Sequence, residues 1–337
     1  MFVFWGTLCA LLLLFVIKKN SMLLDIPSCL YTTRKDLRGD GYRTGTGPPP
    51  LRMLTLNLFL RFPGISHVHG DTKNQRLRVF LERILACYDV VVLQEVCGAF
   101  TLRRRKLVQS ARQLGFHFHV VPKAPHLFSK KTMDSGLVVL SRYPILACGH
   151  LTFSHAAYAD QWMAKGALYA KIEYARTVLH VFNVHLQSTY SLQDEQAASV
   201  QKQQIAQLKA WINQKTALSS GSVLVCGDFN LSPLHVQNAM APMHDLSKEQ
   251  EDWSIEIEYH KKSGKELSTT RNMCRRCLSS SRAQHKTSTF CRSQVDHMFL
   301  FHMRAGKHLH VSHPVKMLPD LGLSDHRALT GVFVLTQ

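Results

Sequence analysis

The body of the chain repeats one device: a short apolar run, strand-like in length, that stops on a polar residue. Thr55-Leu56-Asn57-Leu58, Val92-Leu93-Gln94-Glu95-Val96, Phe182-Asn183-Val184-His185-Leu186, Cys226-Gly227-Asp228-Phe229-Asn230 and Leu323-Ser324-Asp325-His326 all carry it, and Val295-Asp296-His297 opens a further apolar run. Runs this short that are apolar throughout are strands covered on both faces. Their ends are where a rigid sheet presents side chains to a cleft.

Between these runs the periodicity changes. Leu77, Phe80, Leu81, Ile84 and Leu85 recur at helical spacing, which predicts a helix over 75–87. Further helices are expected at 100–114, where Arg103, Arg104, Arg105 and Lys106 cluster, and at 195–214, which is rich in Gln. Strands are expected at 52–58, 89–93, 116–121, 136–141, 145–153, 167–173, 178–185, 222–226, 294–301, 308–313 and 328–335. Several neighbouring strands form hairpin-like pairs. The pattern predicts one α/β domain, a sandwich of two mixed sheets with helices outside. Residues 245–291 are polar and aperiodic and read as an insertion.

The first 17 residues are apolar or small and are followed at once by Lys18 and Lys19. They read as an uncleaved membrane anchor, with a degenerate signal peptide as the competing reading. Basic residues after it, including Arg34, Lys35 and Arg38, place the body on the cytoplasmic side under the first reading; under the second the protein is secreted. Residues 18–50, with a Pro-Pro-Pro run, read as a polar tether, and 51–337 as the folded body.

Of 337 residues, 41 are Lys or Arg and 23 are Asp or Glu, a net charge of +18. Such a balance favours anionic partners, among them nucleic acid, anionic lipid and phosphate esters, without choosing among them. The nine Cys mostly stand singly in apolar runs, as buried thiols do. Cys274 and Cys277, with His285 and Cys291 after them, are open to a structural zinc, a disulfide or free thiols.

Each polar strand end has an ordinary explanation by itself: Asn57 as a turn cap, His185 as a core histidine, Asp228 and Asn230 as an Asx turn. Together they gather hard oxygen donors and two histidines. That set suits Mg2+ or Mn2+ rather than zinc, and no paired zinc signature is present.

In this order, Gln94-Glu95, Gly227-Asp228-Phe229-Asn230 and Ser324-Asp325-His326 resemble the endonuclease/exonuclease/phosphatase superfamily, over about residues 52–334. The resemblance implies a four-layered, deoxyribonuclease-like fold. It implies Glu95 as the main metal ligand, with Asn57 beside it and Asp325 near the metal or supporting it. Asp228 and Asn230 would orient phosphate and the attacking water, and His185 would stabilise the transition state or assist the leaving group. His326 would be the general base with Asp296 fixing its tautomer, and whether His326 or Asp228 takes the proton stays open. Asp160 and Lys165, followed by Gly166, together with His185-Leu186-Gln187-Ser188, are similar to the neutral sphingomyelinases. In that family Lys165 would contact substrate phosphate and Asp160 would switch its position. The implied substrate is sphingomyelin or a related phosphosphingolipid, presented at a membrane surface that includes anionic lipid. The aromatic-tipped hairpin expected of secreted bacterial sphingomyelinases is absent from 302–307, which leaves the anchor, or Trp162 and Met163, to meet the bilayer. The competing reading is a metal-dependent nuclease on the same scaffold, which the positive charge favours. An inositol-polyphosphate phosphatase ranks lower, and so does a membrane-tethered binding protein on an inactive scaffold.

Overall fold

The computed structural model describes residues 29–30, 48–62, 65, 72–123, 131–189, 194–217, 219–240, 253–256, 296–303, 309–317, 324–326 and 328–335. The expected anchor, most of the tether, most of the 245–291 segment and its Cys274, Cys277 and Cys291 lie outside the described residues.

In chain order the strands are β1 (Cys29–Leu30), β2 (Leu51–Leu60), β3 (Val90–Val96), β4 (Phe118–Val120), β5 (Val138–Ser141), β6 (Ile145–Thr152), β7 (Gly166–Tyr174), β8 (Thr177–His185), β9 (Ser222–Asp228), β10 (Trp253–Glu256), β11 (Asp296–Met303), β12 (Leu309–Met317) and β13 (Leu329–Leu335). The α-helices are α1 (Lys73–Val79), α2 (Arg103–Gln113), α3 (Glu195–Thr216) and α4 (Pro233–Met240). A seven-stranded sheet has the order β1-β4-β5-β3-β2-β13-β12, and a six-stranded sheet has the order β10-β11-β9-β8-β7-β6.

Each sheet holds one parallel pair near its middle. β2 runs parallel to β3, from Met53 against Val90 to Asn57 against Gln94. β8 runs parallel to β9, from Leu179 against Ser222 to His185 against Asp228. Parallel strands need a crossover, and helices supply both. The first is α1, continued by a π turn (Phe80–Ile84) and a 3-10 turn (Leu85–Cys87). Its apolar stripe is the one the spacing predicts: Leu77, Phe80, Leu81 and Leu85 pack with Leu54, Leu56, Val91 and Leu93. Leu107 and Ala111 of α2 join the same layer. The second crossover is α3, which buries Ile205, Leu208 and Ile212 against Phe182, Val184, Val223 and Val225 of the other sheet.

The inner faces meet in a third apolar layer, with Met53, Val90, Val92 and Val139 facing Leu168, Ala170, Val181 and Leu224. The result is the expected helix–sheet–sheet–helix sandwich. Truncating a central side chain such as Val92 to Ala leaves a void between two sheets that cannot both relax, and is expected to cost on the order of 1–3 kcal/mol.

Three features differ from the expectations. Trp253–Glu256, within the stretch read as irregular, pairs antiparallel with β11. α4 follows the Gly227–Asn230 turn directly and packs Val236 and Met240 on the second sheet. Within the basic cluster of α2, Arg103 and Arg104 turn to internal partners: Arg103 donates to the Arg61 carbonyl at 3.0 Å, and Arg104 pairs with Asp134 at 3.0 Å. Cys87, Cys97, Cys148 and Cys226 are thiols, with Cys97 and Cys226 buried, as expected.

Candidate active site

Parallel pairing brings the carboxyl ends of β2 and β3 to one edge of the first sheet, and those of β8 and β9 to one edge of the second. The antiparallel partners begin at those same edges. Asp296, first residue of β11, registers with Asp228 at the end of β9. Leu329, first residue of β13, registers with Thr55, and His326 lies just before it. Because the sheets are packed face to face, Asn57, Glu95, His185, Asp228, Asp296 and His326 meet in one place.

The centre is Glu95, His185 and Asp228, all buried. One ligand-type atom from each lies within 4.8 Å of the others. His185 Nε2 is 3.5 Å from Asp228 Oδ2 and 3.9 Å from Glu95 Oε1. Neither ring nitrogen of His185 has a hydrogen-bond partner among the described residues. Burial, helped by the Lys165 charge, pushes its pKa down to about 4 against the pull of Asp228 and Glu95, so the ring is neutral near pH 7. Burial works to raise the Glu95 carboxyl, and the Arg61 guanidinium outweighs it, leaving Glu95 well below the usual carboxylate range. Asp228 is also lowered: His326 and His185 together overcome its desolvation.

Two glycines make these strand ends possible. Gly227 has φ +136°, and a Cβ there would stand 2.1 Å from the Val184 carbonyl of the neighbouring strand. Gly136 has φ +63° and would place a Cβ 2.8 Å from the Glu95 Cα. Glu95 itself has φ +58°, an uncommon conformation for such a residue, held by the Val96 N–H donating to the Gly136 carbonyl at 2.8 Å.

His326 Nδ1 lies 2.7 Å from Asp296 Oδ2. Burial opposes a charge on this imidazole, but Asp296 and then Asp228 outweigh it and raise its pKa. Its Nε2 points into the cluster, 3.8 Å from Asp228 Oδ2. Asp228, Asp296 and His326 form a second close group that shares Asp228 with the first. Asp325 belongs to neither group: its Oδ1 lies 3.9 Å from His326 Nε2 and accepts from Ser324 Oγ at 3.2 Å.

Asn57 lies at the cluster with its amide nitrogen inward. Nδ2 donates to Asp228 Oδ2 at 2.9 Å, while Oδ1 accepts from the Phe59 N–H at 3.1 Å. Asn230 closes an Asx turn, its N–H donating to Asp228 Oδ1 at 2.9 Å and its Nδ2 to the Leu186 carbonyl at 3.1 Å. Lys165 and Asp160 form a buried ion pair at 2.8 Å. The ammonium also donates to the Leu186 carbonyl at 2.9 Å and to Ser188 Oγ at 2.6 Å, and Asp160 accepts from the Ser188 N–H at 2.8 Å. All three protons of the ammonium thus have acceptors. Trp162 is exposed beside this pair, whereas Met163 is buried and cannot meet a bilayer.

Four supporting groups escape the sequence reading. Gln94 donates to Asn183 Oδ1 at 2.6 Å and to Thr55 Oγ1 at 3.2 Å, and Asn183 Nδ2 donates to the Leu93 and Val138 carbonyls, tying the sheets together directly beneath Glu95. Gln201 on α3 donates to the Gln187 and Asn230 carbonyls, so the Gln-rich helix grips the site loops. Arg61 holds Glu95. Polar residues inside or at the end of apolar runs are the signal for Gln94, Asn183 and Arg61, which follows Leu58-Phe59-Leu60, whereas Gln201 sits in a polar stretch that gives none.

These residues fit a divalent cation. Two carboxylates and a neutral imidazole converge, and the buried imidazole makes no hydrogen bond among the described residues. Hard oxygens with one nitrogen suit Mg2+ or Mn2+.

The Endonuclease/Exonuclease/phosphatase family pattern matches residues 54–326. A sphingomyelinase of Dictyostelium discoideum is 29% identical over 192 residues, 49% of this chain and 42% of that protein. The chain spans less than half the length of the first such relatives. Among solved structures, sphingomyelinase C from Streptomyces griseocarneus superposes with a TM-score of 0.58 at 22% identity, covering 84% of this chain and 99% of that one. A Staphylococcus aureus beta toxin variant with bound magnesium ions gives 0.56 at 15% identity, covering 84% and 99%. Both share the two-sheet sandwich. With the family pattern spanning both strand-end clusters and most of the chain, this protein belongs to the endonuclease/exonuclease/phosphatase family.

Proposed function

We propose that the protein is a Mg2+- or Mn2+-dependent phosphodiesterase that hydrolyses sphingomyelin, or a related phosphosphingolipid, to ceramide and phosphocholine or the corresponding head-group phosphate. The observation that carries it is the convergence of Glu95, His185 and Asp228 beside a hydrogen-bonded His326–Asp296 pair. The sphingomyelinase names of the relatives support the lipid over other phosphodiesters.

Glu95 and Asp228 would hold the cation, with Asn57 and Asp325 at its margin. Bound there, it neutralises charge on the phosphate and on the leaving oxygen. Asp228 and Asn230 orient the attacking water. Its proton passes to Nε2 of His326 in the deprotonated form of that imidazole, which the raised pKa makes the minor form at neutral pH, and Asp296 fixes the tautomer through Nδ1. The water oxygen bonds to phosphorus, the bond to the ceramide oxygen breaks, that oxygen takes up a proton from solvent, and His326 gives its proton back to solvent. His185, neutral and buried, donates a hydrogen bond to an oxygen on the crowded phosphorus. Lys165 reaches the phosphate only by giving up one of its present acceptors, so Asp160 sets whether it is available.

A bilayer contact is part of the proposal. Phe100, Leu102, Tyr158 and Trp162 are large, exposed and apolar or amphipathic. Their loops are connected: the Trp162 carbonyl accepts from Thr132 and Met133, and Asp134 accepts from the Gly98 N–H. Among the described residues no helix is long and apolar enough to cross a membrane. Attachment through residues 1–17, with the body cytoplasmic, therefore stands as a proposal on their composition alone.

The test is head-group phosphate release from sphingomyelin vesicles with Mg2+ or with chelator, using Glu95→Ala and His326→Ala as controls. Metal-dependent release lost in both variants supports the proposal. Metal-dependent cleavage of DNA or RNA without lipid hydrolysis moves the protein to the nuclease reading.

A further inference from the structure

Arg61, just past the end of β2, makes a two-pronged contact with the central carboxylate. Its Nε lies 2.5 Å from Glu95 Oε2 and its Nη2 lies 2.5 Å from Oε1. Its carbonyl accepts from Arg103, which fixes the main chain, and its Cζ lies 4.9 Å from the centre of the Phe59 ring. The Glu95 side chain is 2% exposed and the Arg61 side chain 25%, so the pair has an inner, fixed partner and an outer one with a way to solvent.

A fork-on-fork pair engages both carboxylate oxygens. A cation held by Glu95 and Asp228 beside His185 needs at least one of those oxygens, and it repels the guanidinium standing there. Without any cation, an unpaired Glu95 would be a buried, uncompensated charge, which is strongly destabilising. One oxygen pair thus has two positively charged claimants, and the protein supplies one of them itself.

We propose that Arg61 is a latch that competes with the divalent cation for Glu95. In the cation-free protein it neutralises the carboxylate and keeps the centre assembled. Metal entry displaces it outward, along its exposed side. The apparent metal affinity is then lowered by the fraction of molecules that are latched. The proposal rests on the metal-dependent reading of this site and not on the identity of the substrate.

The alternative is that Arg61 orients Glu95 for the cation, and the two ideas predict opposite changes. Full-length wild type, Arg61→Gln and Arg61→Lys would be titrated with Mn2+, following loss of the free-ion electron paramagnetic resonance signal, and melted with chelator and with saturating Mg2+. The latch predicts Mn2+ binding at least about tenfold tighter in Arg61→Gln. It also predicts a larger Mg2+-induced rise in Tm, because only the cation-free form of the variant is weakened. Arg61→Lys keeps the charge without the fork, should fall between, and serves if Arg61→Gln does not fold. Unchanged or weaker Mn2+ binding in both variants overturns the latch. No binding in wild type or variants overturns it together with the metal reading. Tighter binding with no sphingomyelin hydrolysis leaves the latch standing and sinks only the substrate.

Discussion

Asn57 and Asp228 reach each other from different sheets, amide nitrogen to carboxylate oxygen at 2.9 Å. This contact joins the carboxyl ends of the two parallel strand pairs, and His185 Nε2 stands 3.5 Å from the same oxygen. Asp228 is therefore the one residue common to both close groups, the one around Glu95 and the one around His326.

Replacing Asp228 by Asn keeps the shape but removes the charge, and turns the Asn57 contact into an amide pair. We expect kcat to fall by about a hundred- to a thousandfold, with the Mg2+-induced rise in Tm lost and the Tm in chelator nearly unchanged. Steady-state kinetics and thermal melts check this; undiminished Mg2+ stabilisation would remove Asp228 from the metal site.

Asn183→Ala should act through stability first. The change strips the Leu93 and Val138 carbonyls of a donor and Gln94 of an acceptor, all buried. A loss of at least about 3 kcal/mol is expected from urea unfolding, given about 1–3 for each of these groups. Since Gln94 precedes Glu95, metal affinity should weaken as well.

Asp296→Asn tests the proton path. Asp296 is the leading influence that raises the His326 imidazole, from an ordinary 6.5 to about 9, against its burial. Removing it lowers the His326 pKa, so the acid limb of kcat/KM should move down by about 1–3 pH units, while the plateau falls about a hundredfold or more. Stability carries the same signature. A raised pKa gives a contribution that is full below pH 6.5 and is lost as pH rises through about 9. Asp296→Asn should flatten that alkaline decline in chelator.

Acid should unfold the protein early. Burial holds His119, His180, His185 and His297 down at about 4. Groups lowered in the folded state favour folding above 6.5, and that support is lost as pH falls through about 4. Tm measured from pH 7 to pH 4 should drop steeply across that window. His180→Gln should soften the drop, because it removes one group whose charging costs folding free energy.

Lys165→Met leaves Asp160 buried without its ammonium and removes a donor from Ser188 and the Leu186 carbonyl. Breaking a buried pair in this way should cost about 3–5 kcal/mol. The double change Asp160→Asn with Lys165→Met should recover part of that stability but not activity, measured side by side by urea unfolding and lipid hydrolysis.

The sequence by itself determined the sandwich and most of its strands, because runs such as Val90–Leu93 are legible only as strands covered on both faces. It also singled out Glu95, His185, Asp228, Asp296 and His326 as candidates, because together and in that order they supply hard oxygens and imidazoles and resemble a known family, although each alone has an ordinary structural use. Tertiary structure alone decided what those residues do to one another. Gln94 and Asn183 lie 89 positions apart and touch only because two sheets pack face to face. Arg61 and Glu95 meet only because β2 and β3 are parallel and adjacent. Asn57 offers its nitrogen rather than its oxygen because the Phe59 N–H claims that oxygen. Local patterning writes which face of a strand is buried; which charge stands opposite which is settled only when distant strand ends arrive at one edge.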